Sequence, residues 1–81
     1  MPTASFSIQA TLINPANFFV AALFDASNPN TVIQVKNPPP PYGSAFQVQF
    51  PNLIAKKAYI FELWESPNTT VSGIKINSYS F

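Results

Sequence analysis

Turn-forming clusters recur at short intervals along this chain, as INPAN, DASNPN, NPPPPYG, PNLIAKK and ESPNTTVSG, and no stretch between them keeps a helical period. Short segments rich in aromatic and β-branched residues, separated in this way, predict an all-β fold: an antiparallel β-sandwich of about six strands. The expected strands cover residues 4–13, 18–25, 31–36, 44–50, 58–65 and 73–81. At 81 residues the chain reads as a single domain, 1–81, and with no cysteine its stability must come from packing, helped where possible by neighbouring subunits.

The strands differ in how many faces they bury. In the first, Phe6, Ile8, Ala10 and Leu12 alternate with Ser5, Ser7, Gln9 and Thr11, the pattern of a strand with one wet face. The fourth repeats it with Phe46, Val48 and Phe50 against Ala45, Gln47 and Gln49. The second is apolar on both parities, Phe18, Val20, Ala22 and Phe24 on one and Phe19, Ala21 and Leu23 on the other. The fifth sets Tyr59, Phe61 and Leu63 against Ile60, Glu62 and Trp64. The third is short and ends at prolines, as an edge strand does. The sixth carries Ile74 and Ile76 on its inward parity and Tyr79 and Phe81 on the other. FDASNPNTVIQVK and LWESPNTTVSGIK echo one another, which reads as two similar hairpins.

The stretch FQVQFPNLIAKKAYIFELWES, about twenty residues, resembles the region around the last two core strands of fibronectin type III and related immunoglobulin-like sandwiches. Leu53 stands six residues before Tyr59, the spacing that marks the corner between strands in those folds, and Phe61 and Leu63 continue the alternation. IAKK takes the place of the proline and glycine usual within that corner, and the early-strand tryptophan has no counterpart. The resemblance implies that the Tyr59 hydroxyl turns back to a backbone group near the corner. It also implies that the second, third, fifth and sixth strands share one sheet, with the second and fifth adjacent at its middle. In its polar, low-charge texture the chain is also similar to small bacteriophage head and tail proteins.

Little here can do chemistry. The chain has no His, Cys or Arg and three carboxylates, so general acid–base catalysis, metal binding and cofactor binding are not expected, and the reading is of a non-enzyme. Asp25 and Glu65 hold equivalent hairpin positions and are expected to be solvated turn residues. Charged residues make up 9% of the chain and net charge is +1, which gives no electrostatic reason for nucleic acid as a partner. Lys56 and Lys57 read as a solvated corner that discourages aggregation. Asn68-Thr69-Thr70 has the N-glycosylation pattern, for which turn chemistry is a sufficient reason. The N-terminus has no signal-peptide pattern, and the longest apolar run, residues 18–24, is far short of the roughly 20 residues that span a bilayer.

The clearest functional expectation concerns the outer face of the larger sheet. With the implied strand order, Phe19, Ala21 and Leu23 would point outward beside Ile60, Glu62 and Trp64, with Tyr79 and Phe81 on the neighbouring strand. An apolar face of several hundred Å2 is not normally left in water. Phe19, Leu23, Ile60, Trp64, Tyr79 and Phe81 are therefore the expected interface residues. The expected role is a structural or assembly protein, in a virion (phage head or tail) or extracellular appendage, in contact with copies of itself or neighbouring structural proteins. A strand ending at Phe81 would leave its last residues free to pair with a neighbour. The alternative is an adhesion module that binds a glycan on a platform of Trp64, Tyr79 and Phe19.

One tract resembles a recognition signal. KNPPPPYG contains PPPY (Pro39, Pro40, Pro41, Tyr42), the form that WW domains bind as polyproline II. The same prolines stand where a crossover between the two sheets is expected, and polyproline II gives about 3.1 Å per residue of stiff reach. The connector reading is preferred, and it is the one in which the Tyr42 ring is buried.

Overall fold

The computed structural model describes residues 2–39, 42 and 45–81. Its strands are β1 (Ala4–Ile8), β2 (Phe18–Asp25), β3 (Asn28–Lys36), β4 (Phe46–Phe50), β5 (Tyr59–Ser66) and β6 (Ile74–Ser80), with no helix among the described residues. They form two antiparallel sheets, one in the order β1-β4 and one in the order β3-β2-β5-β6. The fold is a small β-sandwich with six strands, as the turn spacing predicts, and β2 and β5 lie at the middle of the larger sheet. Pro40, Pro41, Gly43 and Ser44 lie outside the described residues, and with them part of the PPPY tract and the first residue expected of the fourth strand.

Both echoing segments are hairpins. At the end of β2 the Asp25 carboxylate accepts the Ser27 N–H at 2.9 Å and the Ser27 hydroxyl at 2.7 Å. This tight turn lets Asn28 pair at once with Asp25, so β3 starts three residues earlier than expected, and Pro29 is tolerated because β3 is an edge. After β5, Asn68 Oδ1 accepts the Thr70 N–H at 2.9 Å. Gly73 then enters β6 with φ of 89°, where a Cβ would overlap the carbonyl oxygen of Glu65. β1 is shorter than expected because Ile8 already faces Phe46, the first residue of β4. Residues 9–12 continue without a ladder partner, although Ala10 and Leu12 still pack on the core.

The core lies between the sheets. Ile8, Val48 and Phe50 meet Phe19, Ala21 and Leu23 of β2 and Tyr59, Phe61 and Leu63 of β5, with Leu53 closing one end. Phe19, Phe50 and Leu23 have no exposed surface, and each such side chain stabilises the fold by about 1.5–3 kcal/mol before ordering costs. Phe6 stacks on Phe61 at 4.2 Å.

Two expectations are corrected here. Phe19, Ala21 and Leu23 point into the core, not outward, because the β2–β5 register sets Ala21 opposite Leu63 and Leu23 opposite Phe61. Directly opposed residues share a face, so β2 must turn the same parity inward as Tyr59, Phe61 and Leu63. Nor is Phe81 free: it exchanges backbone hydrogen bonds with Tyr59 at 2.9 and 3.0 Å, and its ring lies 5.3 Å from Phe6.

The corner between β4 and β5 forms as the resemblance implies. The Tyr59 hydroxyl accepts the Ile54 N–H at 2.9 Å, and Leu53 and Tyr59 are both buried. Lys56, inside IAKK, takes φ of 65°, the left-handed backbone for which glycine is the usual residue.

Candidate interaction surface

On the outer face of the larger sheet the register sets Val20 opposite Trp64, Ala22 opposite Glu62 and Phe24 opposite Ile60. On the other side of β2, Val35 stands opposite Ala22 and Val32 opposite Phe24. The apolar strip therefore runs across β5, β2 and β3. Val20 and Ala22 at its centre are fully buried by their neighbours, whereas Val32 and Val35 at its edge are 43% and 37% exposed. An antiparallel sheet with one solvated face usually carries polar residues there; here they are Glu62 and, on β6, Lys75, Ser78 and Ser80 opposite Trp64, Glu62 and Ile60, beside the apolar strip.

Glu62 is tied to two of its neighbours on this face. Trp64 Nε1 donates to Glu62 Oε1 at 3.0 Å, and Lys75 Nζ lies 3.6 Å from Glu62 Oε2. The indole, half-buried, thus has its one polar atom satisfied within the chain and leaves apolar ring surface at the boundary of the strip.

The six residues expected at an interface fall in three places. Ile60 and Trp64 are on the outer face, Phe19 and Leu23 are in the core, and Tyr79 and Phe81 are beside Phe6 at the flank where β1 meets β6. Tyr79 is 57% exposed and its ring stacks on Phe81 at 6.0 Å. A sugar platform of Trp64, Tyr79 and Phe19 is therefore not formed. Val20, Ala22, Phe24, Val32 and Val35 take the places on the outer face that Phe19 and Leu23 were expected to fill. Nothing in β2 alone could have found them, since both parities are apolar.

All three carboxylates are committed inside the molecule. Glu65, expected as a solvated turn residue, is only 1% exposed. It accepts the N–H groups of Ile13 and Asn14 at 2.8 and 2.9 Å and the Asn17 side-chain amide at 2.8 Å. These hydrogen bonds, the two backbone donors foremost, hold its carboxyl below the usual carboxylate range against the opposing effect of burial. Asp25 lies 2.8 Å from Lys57 Nζ and is lowered to about 2 by that lysine first and Ser27 second. Lys57, expected to be solvated, is thus half of an ion pair, and its own titration is raised by the same partner. Among the described residues there is no group of three or more side chains able to hold a metal.

Tyr42, the tyrosine of the PPPY tract, packs against the core. Its ring, half-buried, stands edge-on to Phe19 at 4.8 Å, and its hydroxyl donates to the Pro38 carbonyl at 2.8 Å. The same oxygen accepts a longer bond from the Phe19 N–H at 3.4 Å. The tyrosine of the tract is used to fasten the crossover from β3 to β4 onto the core. Asn68 spends its side-chain oxygen on its own turn.

No family model, curated protein or solved structure matches the chain.

Proposed function

We propose that this chain is a non-enzymatic assembly module whose outer sheet face packs against another protein chain, either a second copy or a neighbouring structural protein. The observation that carries this reading is the apolar strip from Ile60 and Trp64 across β2 to Val32 and Val35, which are 43% and 37% exposed, on the face of the larger sheet turned away from the core between the sheets. Permanent interfaces resemble a core cut in half, and a chain with only 9% charged residues suits lasting contact. A virion or an extracellular appendage is the setting in which repeated contacts of this kind are made.

Light scattering coupled to size-exclusion chromatography tests the reading. The chain should run as an oligomer, or associate with its structural neighbours when mixed with them. Trp64→Ala should weaken that association roughly thirtyfold, the consequence of losing an anchor of about 2 kcal/mol. Val32→Ser with Val35→Ser, at exposed edge positions, should weaken it with the sheet intact by circular dichroism. A strictly monomeric chain whose association with any neighbour ignores both variants would remove the reading. Glycan binding by Tyr79 and Phe81, the aromatics that stay exposed, would replace it with the adhesion alternative.

A further inference from the structure

The two sheets have unequal widths, and the difference falls on one flank. β1 lies over β5, where Phe6 stacks on Phe61 at 4.2 Å, so β6 projects one strand beyond it. Asn77 and Tyr79 stand opposite Leu63 and Phe61, on the face of β6 that looks toward the small sheet. The result is a groove of about 370 Å3 with β1 as one wall, Phe61 and Leu63 as its floor, and Ile76, Asn77 and Tyr79 as the other wall.

β1 pairs on one edge only, with β4. In an antiparallel ladder every second residue turns both its N–H and its C=O away from the partner, and on β1 those groups face the groove. Free edges are usually blunted by lysine, proline, bulges or covering loops. β3 has Pro29 and Lys36, β6 has Lys75 and a bulge opposite Leu63 and Trp64, and the free side of β4 is bordered by Lys36, Pro38 and Pro39 of the connector. β1 has no such device, since residues 3–12 contain no charge and no proline. No charged side chain lines the groove either.

The overhang decides what can enter. A second folded copy pairing edge to edge at β1 would bring its own β5, which lies against its β1, into the space that the first β6 occupies. A single extended segment meets no such obstacle, because strands in a sheet lie about 4.8 Å apart and the overhang is one strand wide. A charged segment would lose its hydration against this neutral lining without gaining a counter-charge. We propose that the β1–β6 groove is a strand acceptor: it takes an extended, uncharged segment of a partner protein, with apolar residues at every second position, as the third strand of the small sheet. The segment pairs with β1 through main-chain hydrogen bonds and lays its apolar side chains on Phe61, Ile76 and Tyr79. The site is separate from the outer face and does not depend on the role proposed for it.

The test is an array of neutral ten-residue peptides carrying Val, Ile, Leu or Phe at every second position and Ser, Thr or Gln between them. Each is accompanied by a version with Lys at the central apolar position and one with two adjacent prolines. The labelled protein should be retained by members of the neutral set, at least tenfold more weakly by the lysine and proline versions, and with slowed amide exchange along β1. Tyr79→Lys should reduce retention tenfold or more, whereas Trp64→Ser on the outer face should leave it unchanged. Tyr79 is 57% exposed, so the variant should fold; if circular dichroism shows otherwise, Ile76→Lys at 39% exposure takes its place. Retention of no neutral peptide, equal retention of the lysine or proline versions, or indifference to both β6 variants overturns the proposal. So does binding at Tyr79 of a glycan in place of any peptide.

Discussion

The Glu65 carboxylate accepts the backbone N–H of Ile13 at 2.8 Å across a separation of 52 residues. With Asn14 and Asn17 completing the set, one buried side chain fastens the loop before β2 to the end of β5. A buried carboxylate is tolerable because these donors replace the water it lost.

Glu65→Gln replaces one acceptor oxygen with an amide that faces N–H donors. It should lower the urea midpoint more than any other single polar substitution in the chain. The pH dependence has a definite sign: a carboxyl lowered in the folded state adds stability that is fully present above its usual 4.5 and is lost as pH falls through the lower folded value. The wild type should therefore weaken below about pH 4.5, and Glu65→Gln should show a flatter profile there. Equal slopes for the two proteins would show that the carboxylate does not hold the loop.

Asp25 should titrate at about 2, against the ordinary 3.8, when its carboxyl carbon is followed by NMR. Its contribution is present above 3.8 and lost as pH falls through about 2, while that of Lys57, raised above 10.5, is present below 10.5 and lost as pH rises past its folded value. The pair is thus intact across the whole range between. Lys57→Met should return Asp25 most of the way toward 3.8, because the lysine is the largest cause of its shift.

Tyr59→Phe removes the hydroxyl that accepts from Ile54 while keeping the buried ring. Ile54 is exposed, so water can satisfy its N–H, and the expected loss is about 1 kcal/mol, or roughly 4–8 °C in Tm. A calorimetric Tm unchanged from wild type would show that the ring alone holds the corner.

Gly73→Ala puts a Cβ against the Glu65 carbonyl at a left-handed φ of 89°. Both the conformational penalty and the overlap fall on backbone, so a loss of more than about 2 kcal/mol by chemical denaturation is expected. An alanine variant as stable as the wild type would mean that the turn into β6 has another accessible shape.

What was legible in the sequence was local. The Tyr59 clamp could be expected because Leu53 and Tyr59 lie close along the chain, and both hairpins because their turn residues do. Glu65 is the opposite case: Ile13 and Asn14 lie far away in sequence, and nothing beside Glu65 marks it as buried. Tyr42 lies between these cases, since its crossover role follows from the prolines but the seat of its ring depends on Phe19.

The sequence by itself determined an all-β chain, its turns and the inward parity of β1 and β4, because alternation against polar residues admits one burial pattern. It could not orient β2, whose two faces are equally apolar and whose orientation gains a reason only when Leu23 meets Phe61 across the sheet. Only the tertiary structure decided that Phe19 and Leu23 are core, that Val20, Ala22 and Phe24 share the outer face with Trp64, and that β6 overhangs β1. Those facts depend on register and on relative sheet width, which are properties of paired strands and are not written in any one of them.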